Sequence, residues 1–288
     1  MEYFLHLTIL IGIYIPLALS LNLVVGYTGL LSITHAAFYG IGAYAVAILM
    51  TVYGWSFFLA ILMGIILASV VGGLLGLVLS HFKDDYYALV SFGFNIIIYS
   101  IFLNWESLTR GSLGIPGIDR PSFFGLELSD NWSFLILTIV GASLIYLISL
   151  SITKSSFGRV LKGIREDERA LSIFGYNTKL FKLTIFIITA GMAGLAGGLF
   201  ATYITFIDPS TFGLNESIFI LAIIILGGMA SLKGSVVGAI FLILLPEILR
   251  FVGFPTEIAA QMRQVVYGLL LVLLMLYRPQ GLVGEYKI

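Results

Sequence analysis

The sequence contains no cysteine and very little charge. The absence of cysteine from all 288 residues excludes disulfide bonds and cysteine-ligated metal sites. There are only 15 basic and 15 acidic residues, and none of them lies between Tyr3 and Phe82. With 59% hydrophobic residues and a mean hydropathy of +1.07, the chain has too little polar surface for a water-soluble domain. We therefore expect a multi-span membrane protein, and the net charge of zero gives no sign of nucleic-acid binding.

Several motifs of enzymes and nucleotide-binding proteins are also missing. No Gly-Lys-Ser/Thr sequence occurs, which excludes a P-loop, and no Gly-x-Ser-x-Gly sequence occurs, which excludes a nucleophile elbow. The three histidines, His6, His35 and His81, are far apart and lack metalloprotease spacing. The sequence therefore predicts no catalytic residue, no metal site and no cofactor.

Nine apolar runs occupy most of the chain. At about 20 residues per span, the length permits about eight to ten transmembrane helices, some short or discontinuous, in a single transmembrane domain 1–288. The predicted fold class is thus an all-α polytopic membrane protein. The runs cover Leu5–Val25, Leu31–Tyr53, Trp55–Leu79, Tyr86–Leu103, Trp132–Ile152, Leu183–Tyr203, Ile218–Met229, Val236–Leu249 and Ile258–Tyr277.

Glycine-rich sequences interrupt the apolar pattern near both ends of the chain. One is GYTGLLS at Gly26–Ser32, and the other is GGMASLKGS at 227–235, between two short runs. Matched interruptions are typical of an inverted repeat with discontinuous helices beside a transport path, although glycine also simply ends short helices. Small residues also recur every fourth position, which predicts close helix packing. They are Gly64, Ala68, Gly72 and Gly76 in one run, and Ala190, Gly194 and Gly198 in another.

Two charged segments separate the runs and differ in sign. The segment 104–131 has four acids and two bases, whereas Lys154–Lys182 has seven bases and three acids. The positive-inside rule therefore makes 104–131 an extracytoplasmic loop and 153–182 a cytoplasmic segment. Propagating the crossings places the N-terminus, Asp208 and Glu216 outside. No charged residue is then expected deep in a span, except that Glu247 approaches one.

The cytoplasmic segment has the pattern of an amphipathic helix that ends at Gly175. It is either a solvated surface helix with weak ion pairs or a helix that docks in a groove of a partner protein. We favour docking because the chain has no energy source of its own. The apolar residues at helical spacing are Val160, Leu161, Ile164, Leu171 and Phe174.

Four polar residues within the apolar runs are candidates for a transport pathway: Asn22, Thr34, His35 and Asn95. Each can instead form a hydrogen bond with a neighbouring helix. The expected absence of an intramembrane acid favours passage of a zwitterionic or neutral solute over ion coupling. An ion-coupled secondary transporter, a channel for a small neutral solute and a purely structural scaffold are the alternatives.

Three sequence blocks spread over nearly the whole chain carry a family resemblance. They are GRVLKGIREDERALSIFGYNTKLFKL, LVVGYTGLLSITHAAFYGIGAYAVAIL, and ILGGMASLKGSVVGAIFLILLPEIL with the ending YRPQGLVG. These blocks resemble LivM-type permeases of branched-chain amino-acid ABC importers. The resemblance implies ATP-driven uptake of leucine, isoleucine, valine or a related small solute across the cell (inner or plasma) membrane.

The resemblance also implies partners and residue roles. A homologous second permease subunit, two cytoplasmic ABC ATPase subunits and an extracytoplasmic solute-binding protein would assemble with this chain in the lipid bilayer. ATP hydrolysis would reside in the ATPase chains, so this subunit is not expected to be an enzyme. The binding protein would dock chiefly on 104–131, with Asp208 and Glu216 as alternative contributors to that surface. The residues implied to occupy the ATPase groove are Ile164, Arg165, Glu166, Asp167, Glu168 and Ala170.

Overall fold

The computed structural model describes residues 2–82, 84–123, 126–127, 130–251 and 280–284, and also 265–266, 268–269, 272–273 and 276–277. Helices dominate this part of the chain, and the prediction of an all-α polytopic membrane protein is confirmed. The α-helices are α1 (Glu2–Thr28), α2 (His35–Thr51), α3 (Phe57–Leu79), α4 (Asp84–Asn104), α5 (Glu106–Thr109), α6 (Asn131–Lys154), α7 (Ser156–Ile173), α8 (Thr178–Ile204), α9 (Leu214–Gly227) and α10 (Leu232–Phe251). Two single 3₁₀ turns cover Gly111–Leu113 and Pro209–Phe212.

Five helices in the described residues are long and apolar enough to cross a membrane: α1, α3, α4, α6 and α8. The two short runs predicted near the C-terminus form α9 and α10, which meet at an angle of 119° and together make a broken span or a re-entrant loop. Helix α2 has only 17 residues. The ninth predicted run, Ile258–Tyr277, lies mostly outside the described residues.

Helices α1 and α8 form the centre of the bundle. The most apolar window is 78% buried in α1 and 72% buried in α8, whereas it is only 22% buried in α4 and α6. Both central helices carry buried side chains on most of their circumference. The outer helices α3, α4 and α6 leave large apolar side chains exposed, as expected for surfaces that face lipid.

The predicted stripes of small residues bring helix backbones together. A methyl group added at Gly72 of α3 would lie 2.4 Å from the Cβ of Ala190 in α8, and one added at Gly194 would lie 2.7 Å from the Cβ of Ala68. Helix α2 packs on α8 as closely, since a methyl group at Gly42 would lie 2.1 Å from the Gly194 carbonyl oxygen. The packing role of both stripes is therefore confirmed.

The two charged segments lie at opposite ends of α8. Strand β1 (Ile115–Pro116) pairs antiparallel with β4 (Phe206–Ile207), which follows the last turn of α8. A separate hairpin pairs β2 (Ser122–Phe123) with β3 (Leu126–Glu127). Helix α7 instead packs against the end of α1 and the start of α8. This arrangement agrees with the opposite sides that the charge pattern predicts for these segments.

Candidate functional site

Helix α7 is attached to the bundle by its apolar face. The hydroxyl of Ser155 caps its start by accepting a hydrogen bond from the Gly158 amide at 3.3 Å. Leu161 and Ile164 are buried in a cluster that includes Tyr27 of α1. Two of the apolar residues expected to dock on a partner protein therefore pack on the chain itself.

The expectation of one continuous helix from Gly158 to Gly175 is wrong. Asp167 has φ −156° and ψ 98°, which interrupts α7. Its carboxylate accepts hydrogen bonds from the amides of Arg169 and Ala170, at 2.9 and 3.0 Å, and so caps a short second helical segment. That segment does end at Gly175, which has the left-handed φ of 88° that favours glycine.

Charged side chains join α7 to the two central helices. The Arg165 guanidinium donates a hydrogen bond to the Gly26 carbonyl near the end of α1, where the helix dipole favours a cation. The Glu168 carboxylate pairs with the Lys182 ammonium of α8 at 2.8 Å and accepts the Thr178 hydroxyl at 2.9 Å. Because Lys182 is only 5% exposed, this pair is largely withdrawn from water.

The remaining surface of α7 is exposed. Glu166, Asp167 and Arg169 are exposed, and they line a polar cavity of about 370 Å³ together with residues of the α1–α2 connection. Ile173 and Phe174 follow, with 85% and 79% of their surface accessible. Of the six residues expected in an ATPase groove, only Glu166 and Asp167 are thus exposed, whereas Ile164 is buried and Arg165, Glu168 and Ala170 are half-buried. We define the exposed surface of α7 as Glu166, Asp167, Arg169, Ile173 and Phe174.

Three of the four polar pathway candidates come together at the start of α2. The Asn95 amide of α4 donates hydrogen bonds to the Ile33 carbonyl at 3.1 Å and to the Ser217 hydroxyl of α9 at 2.7 Å. Ser217 also accepts the Ala36 amide at 3.1 Å. Thr34 and His35 complete this group, which we call the α2 polar cluster: Thr34, His35, Ala36, Asn95 and Ser217.

Three polar atoms of the α2 polar cluster have no hydrogen-bond partner among the described residues. His35 and Asn95 are each 1% exposed. Both ring nitrogens of His35 and the Asn95 side-chain oxygen lack a hydrogen-bond partner among the described residues. The backbone of Ser20 faces His35 but does not reach hydrogen-bond geometry. Buried polar atoms without partners are uncommon because each costs about 1–3 kcal/mol, so this group is a candidate binding site.

The fourth candidate, Asn22, lies in a different set of contacts. Its amide group donates to the Ser231 carbonyl at 2.9 Å and to the Ser235 hydroxyl at 2.6 Å. Its side-chain oxygen accepts the Ala230 amide at 2.9 Å. Asn22 therefore holds the break between α9 and α10, and its side-chain nitrogen and oxygen are both occupied.

Glu216, which the charge pattern places outside, packs against a candidate spanning helix. Its carboxylate accepts the hydroxyl of Tyr14 at 2.6 Å. Tyr14 is one residue from Ile15, the midpoint of α1, so the Glu216 side chain reaches the middle part of that helix. A charge at the centre of a bilayer costs about 2.5–3.5 kcal/mol. No local pattern in the sequence predicts this contact, because an acid before an apolar run is typical of a loop.

Comparison with known proteins identifies the family. The sequence profile described as the permease component of branched-chain amino acid transport systems matches residues 3–275. The chain belongs to this permease family. No solved structure is significantly similar to the permease.

The similar proteins include permeases named LivM and LivH. The LivM permease protein of the high-affinity branched-chain amino acid transport system of Escherichia coli K12 is 36% identical, over 94% of this chain and 67% of LivM. The LivH permease protein of the same organism is 29% identical, over 96% of this chain and 92% of LivH. A probable LivM permease of Methanocaldococcus jannaschii is 25% identical, over the same shares. The permease is thus similar to transport subunits rather than to enzymes.

Proposed function

We propose that this permease is the membrane-spanning subunit of an ATP-driven ABC importer that takes up branched-chain amino acids or a related small solute. The family assignment supports a transport role. The absence of a P-loop from the sequence supports ATP hydrolysis in partner chains. We place the chain, as one transmembrane domain, in the cell membrane with 153–182 on the cytoplasmic side.

The proposed complex contains a second, homologous permease. LivM and LivH of E. coli are both similar to this chain, and each is named as a permease protein of a high-affinity branched-chain amino acid transport system. Two cytoplasmic ABC ATPase subunits bind below this pair in the proposal. An extracytoplasmic solute-binding protein docks above it, on 104–131, and delivers the solute.

The observation that carries the proposal is the double attachment of α7. One face is fixed to α1 and α8 through Ile164, Arg165 and Glu168, while the exposed surface of α7 faces away from the bundle. A helix fixed in this way transmits a displacement of a bound ATPase to the central helices. Exposed apolar side chains surrounded by charge, such as Ile173 and Phe174, are typical of a protein interface.

The proposed solute passage runs beside the α2 polar cluster. Thr34 lies in the non-helical connection between α1 and α2, His35 begins α2, and Asn95 of α4 contacts this connection at Ile33; such breaks often line transport paths. Asn22, the fourth candidate predicted from the sequence, is instead assigned to stabilising the break between α9 and α10.

Two matched charge reversals test the coupling role. Arg169→Glu changes the exposed surface of α7. Lys154→Glu changes an exposed residue at the end of α6 that does not belong to that surface. Each variant is purified from its native membrane, the bound chains are identified by mass spectrometry, and ATP-driven leucine uptake is measured. We expect Arg169→Glu to lose both ATPase chains and uptake, and Lys154→Glu to retain them. Equal recovery of ATPase chains in both variants would contradict the assignment.

One observation favours the rival hypothesis of an ion-coupled transporter. The contact of the Glu216 carboxylate with Tyr14, near the middle of α1, weakens the argument that no intramembrane acid is present. The two hypotheses differ in their energy source. Uptake by the importer requires ATP and persists when a protonophore collapses the proton gradient, whereas ion-coupled uptake stops.

A further inference from the structure

Glu216 and the α2 polar cluster meet at the same depth of the bundle. Glu216 precedes Ser217 in the first turn of α9, and Ser217 contacts both Asn95 and the Ala36 amide. Glu216 and the residue that contacts the start of α2 are therefore neighbours in the chain. A carboxyl group and a residue bonded to the positive end of a 17-residue helix thus lie within one turn of α9.

In the described residues, both groups have neutral partners only: the Tyr14 hydroxyl for Glu216, and the Ser217 hydroxyl and Thr34 carbonyl for the Ala36 and Ala37 amides at the start of α2. Within the described residues, the polar partner of the Glu216 carboxylate is the Tyr14 hydroxyl, and no basic side chain pairs with it. The helix start is flanked by unused atoms, since the Asn95 oxygen and the His35 ring nitrogens have no partner in the described part of the chain. The Asn95 side chain points at this helix start, because its amide contacts Ile33 and Ser217 on either side of it.

The arrangement matches the chemistry of an α-amino acid. An ammonium group needs a carboxylate and neutral acceptors, which Glu216 and the Asn95 oxygen supply. A carboxylate group needs a helix N-terminus and a ring N–H donor, which α2 and His35 supply. A neutral solute such as an amide would leave the charge of Glu216 without a counter-ion.

We propose that Glu216 and the start of α2 form a zwitterion site, in which Glu216 and Asn95 receive the ammonium group of the solute and His35 and the α2 N-terminus receive its carboxylate. This inference rests on the proposed uptake function and names the charged groups that the passage recognises. His35 and Asn95 are buried, so the structure holds the site closed, and the solute enters when α2 and α9 move apart.

The test uses the full complex of both permeases, the ATPases and the binding protein in proteoliposomes. Uptake of radiolabelled leucine is measured with ATP and a protonophore for the wild type, Glu216→Gln and Glu216→Asp. Glu216→Gln keeps an acceptor for Tyr14 but removes the charge, and we expect maximal uptake to fall at least tenfold. Glu216→Asp keeps the charge, and we expect it to restore part of the rate with a higher KM for leucine.

The control is Glu2→Gln, which removes an exposed carboxylate at the start of α1 and should leave uptake unchanged. Wild-type uptake by Glu216→Gln would overturn the zwitterion site while leaving the importer intact. Loss of assembly in Glu216→Gln, combined with a normal KM in Glu216→Asp, would also overturn it and would assign Glu216 to stabilising the start of α9. Absence of ATP-driven leucine uptake in the wild type would instead overturn the proposed function itself.

Discussion

The two helix breaks of this permease are built in opposite ways. At the break between α9 and α10, one side chain, Asn22, makes three hydrogen bonds to the connecting residues and the first turn of α10. At the break between α1 and α2, the contacts come from Ser91 and Asn95 of α4 and from Ser217 of α9, and three side-chain atoms of His35 and Asn95 have no partner within the described residues. A fully satisfied break is rigid, whereas an incompletely satisfied one has hydrogen-bonding capacity left for a ligand.

The backbone gives the same contrast. Ala230, in the break between α9 and α10, has a left-handed φ of 59°, a conformation that costs a non-glycine residue about 1–2 kcal/mol. The Asn22 side-chain oxygen accepts the amide of this residue and so stabilises the conformation. Gly26 packs directly on Asn22, since a methyl group there would lie 1.9 Å from the Asn22 oxygen. The Gly26 carbonyl also accepts a hydrogen bond from Arg165, which connects this break to α7.

The largest expected effect on stability follows from replacing Asn22, whose side chain bonds to the break between α9 and α10. Asn22→Leu leaves the strained Ala230 without its acceptor, and we expect the permease to lose about 3 kcal/mol of stability. Thermal unfolding of the purified protein in detergent measures this loss. Ser20→Ala is the matched control, because the buried Ser20 hydroxyl only donates to the Leu17 carbonyl within α1. Equal stability of both variants, together with a changed KM for uptake in Asn22→Leu, would contradict this role and would assign Asn22 to the solute passage.

At the break between α1 and α2, we expect an effect of intermediate size, on uptake rather than on stability. His35→Leu removes ring nitrogens that have no partner among the described residues, so no protein hydrogen bond is lost. We expect stability to stay within about 1 kcal/mol of the wild type or to rise, because replacing an unpaired buried polar group by an apolar one is close to neutral. Uptake of leucine should fall on the order of tenfold if His35 serves the solute.

The two measurements on His35→Leu separate function from packing. Thermal unfolding reports the contribution of His35 to the fold, and ATP-driven uptake reports its contribution to transport. A variant that unfolds at a much lower temperature and transports normally per folded molecule would show that His35 is a packing residue. The contrast between the two breaks would then disappear.

Much of this architecture follows from local sequence features. The charge pattern separates the 104–131 and 153–182 segments, the stripes at Gly72 and Gly194 predict the α3–α8 contact, and both glycine-rich interruptions coincide with real breaks. Each of these depends on residues close together in the chain. Periodicity and charge are sufficient for such features because the bilayer imposes helices.

The missed features depend on distant contacts. Asn22 reaches Ala230, more than 200 residues away, and no local pattern announces that pairing. Glu216 likewise contacts Tyr14, which is 202 residues away in the sequence. The helical spacing around Asp167 continues without interruption in the sequence, and Arg165 and Glu168 on either side of the break are held by α1 and α8. Tertiary contacts overrode the local helix preference there.

The smallest expected effect concerns Asp208, which stabilises the 3₁₀ turn that precedes α9. Burial raises the pKa of Asp208, but hydrogen bonds from Ser210 and Thr211 outweigh it and hold the pKa below its usual value of 3.8. A lowered pKa contributes stability that is fully present above about pH 4 and fades as the pH falls through the folded-state value. The unfolding temperature of the wild type should therefore exceed that of Asp208→Asn at pH 7, and this difference should narrow at pH 3. Asp130→Asn, at the start of α6 where the side chain makes no capping bond, should show no such difference at pH 7. A gap between wild type and Asp208→Asn that is the same at both pH values would mean that the carboxylate charge does not stabilise this turn.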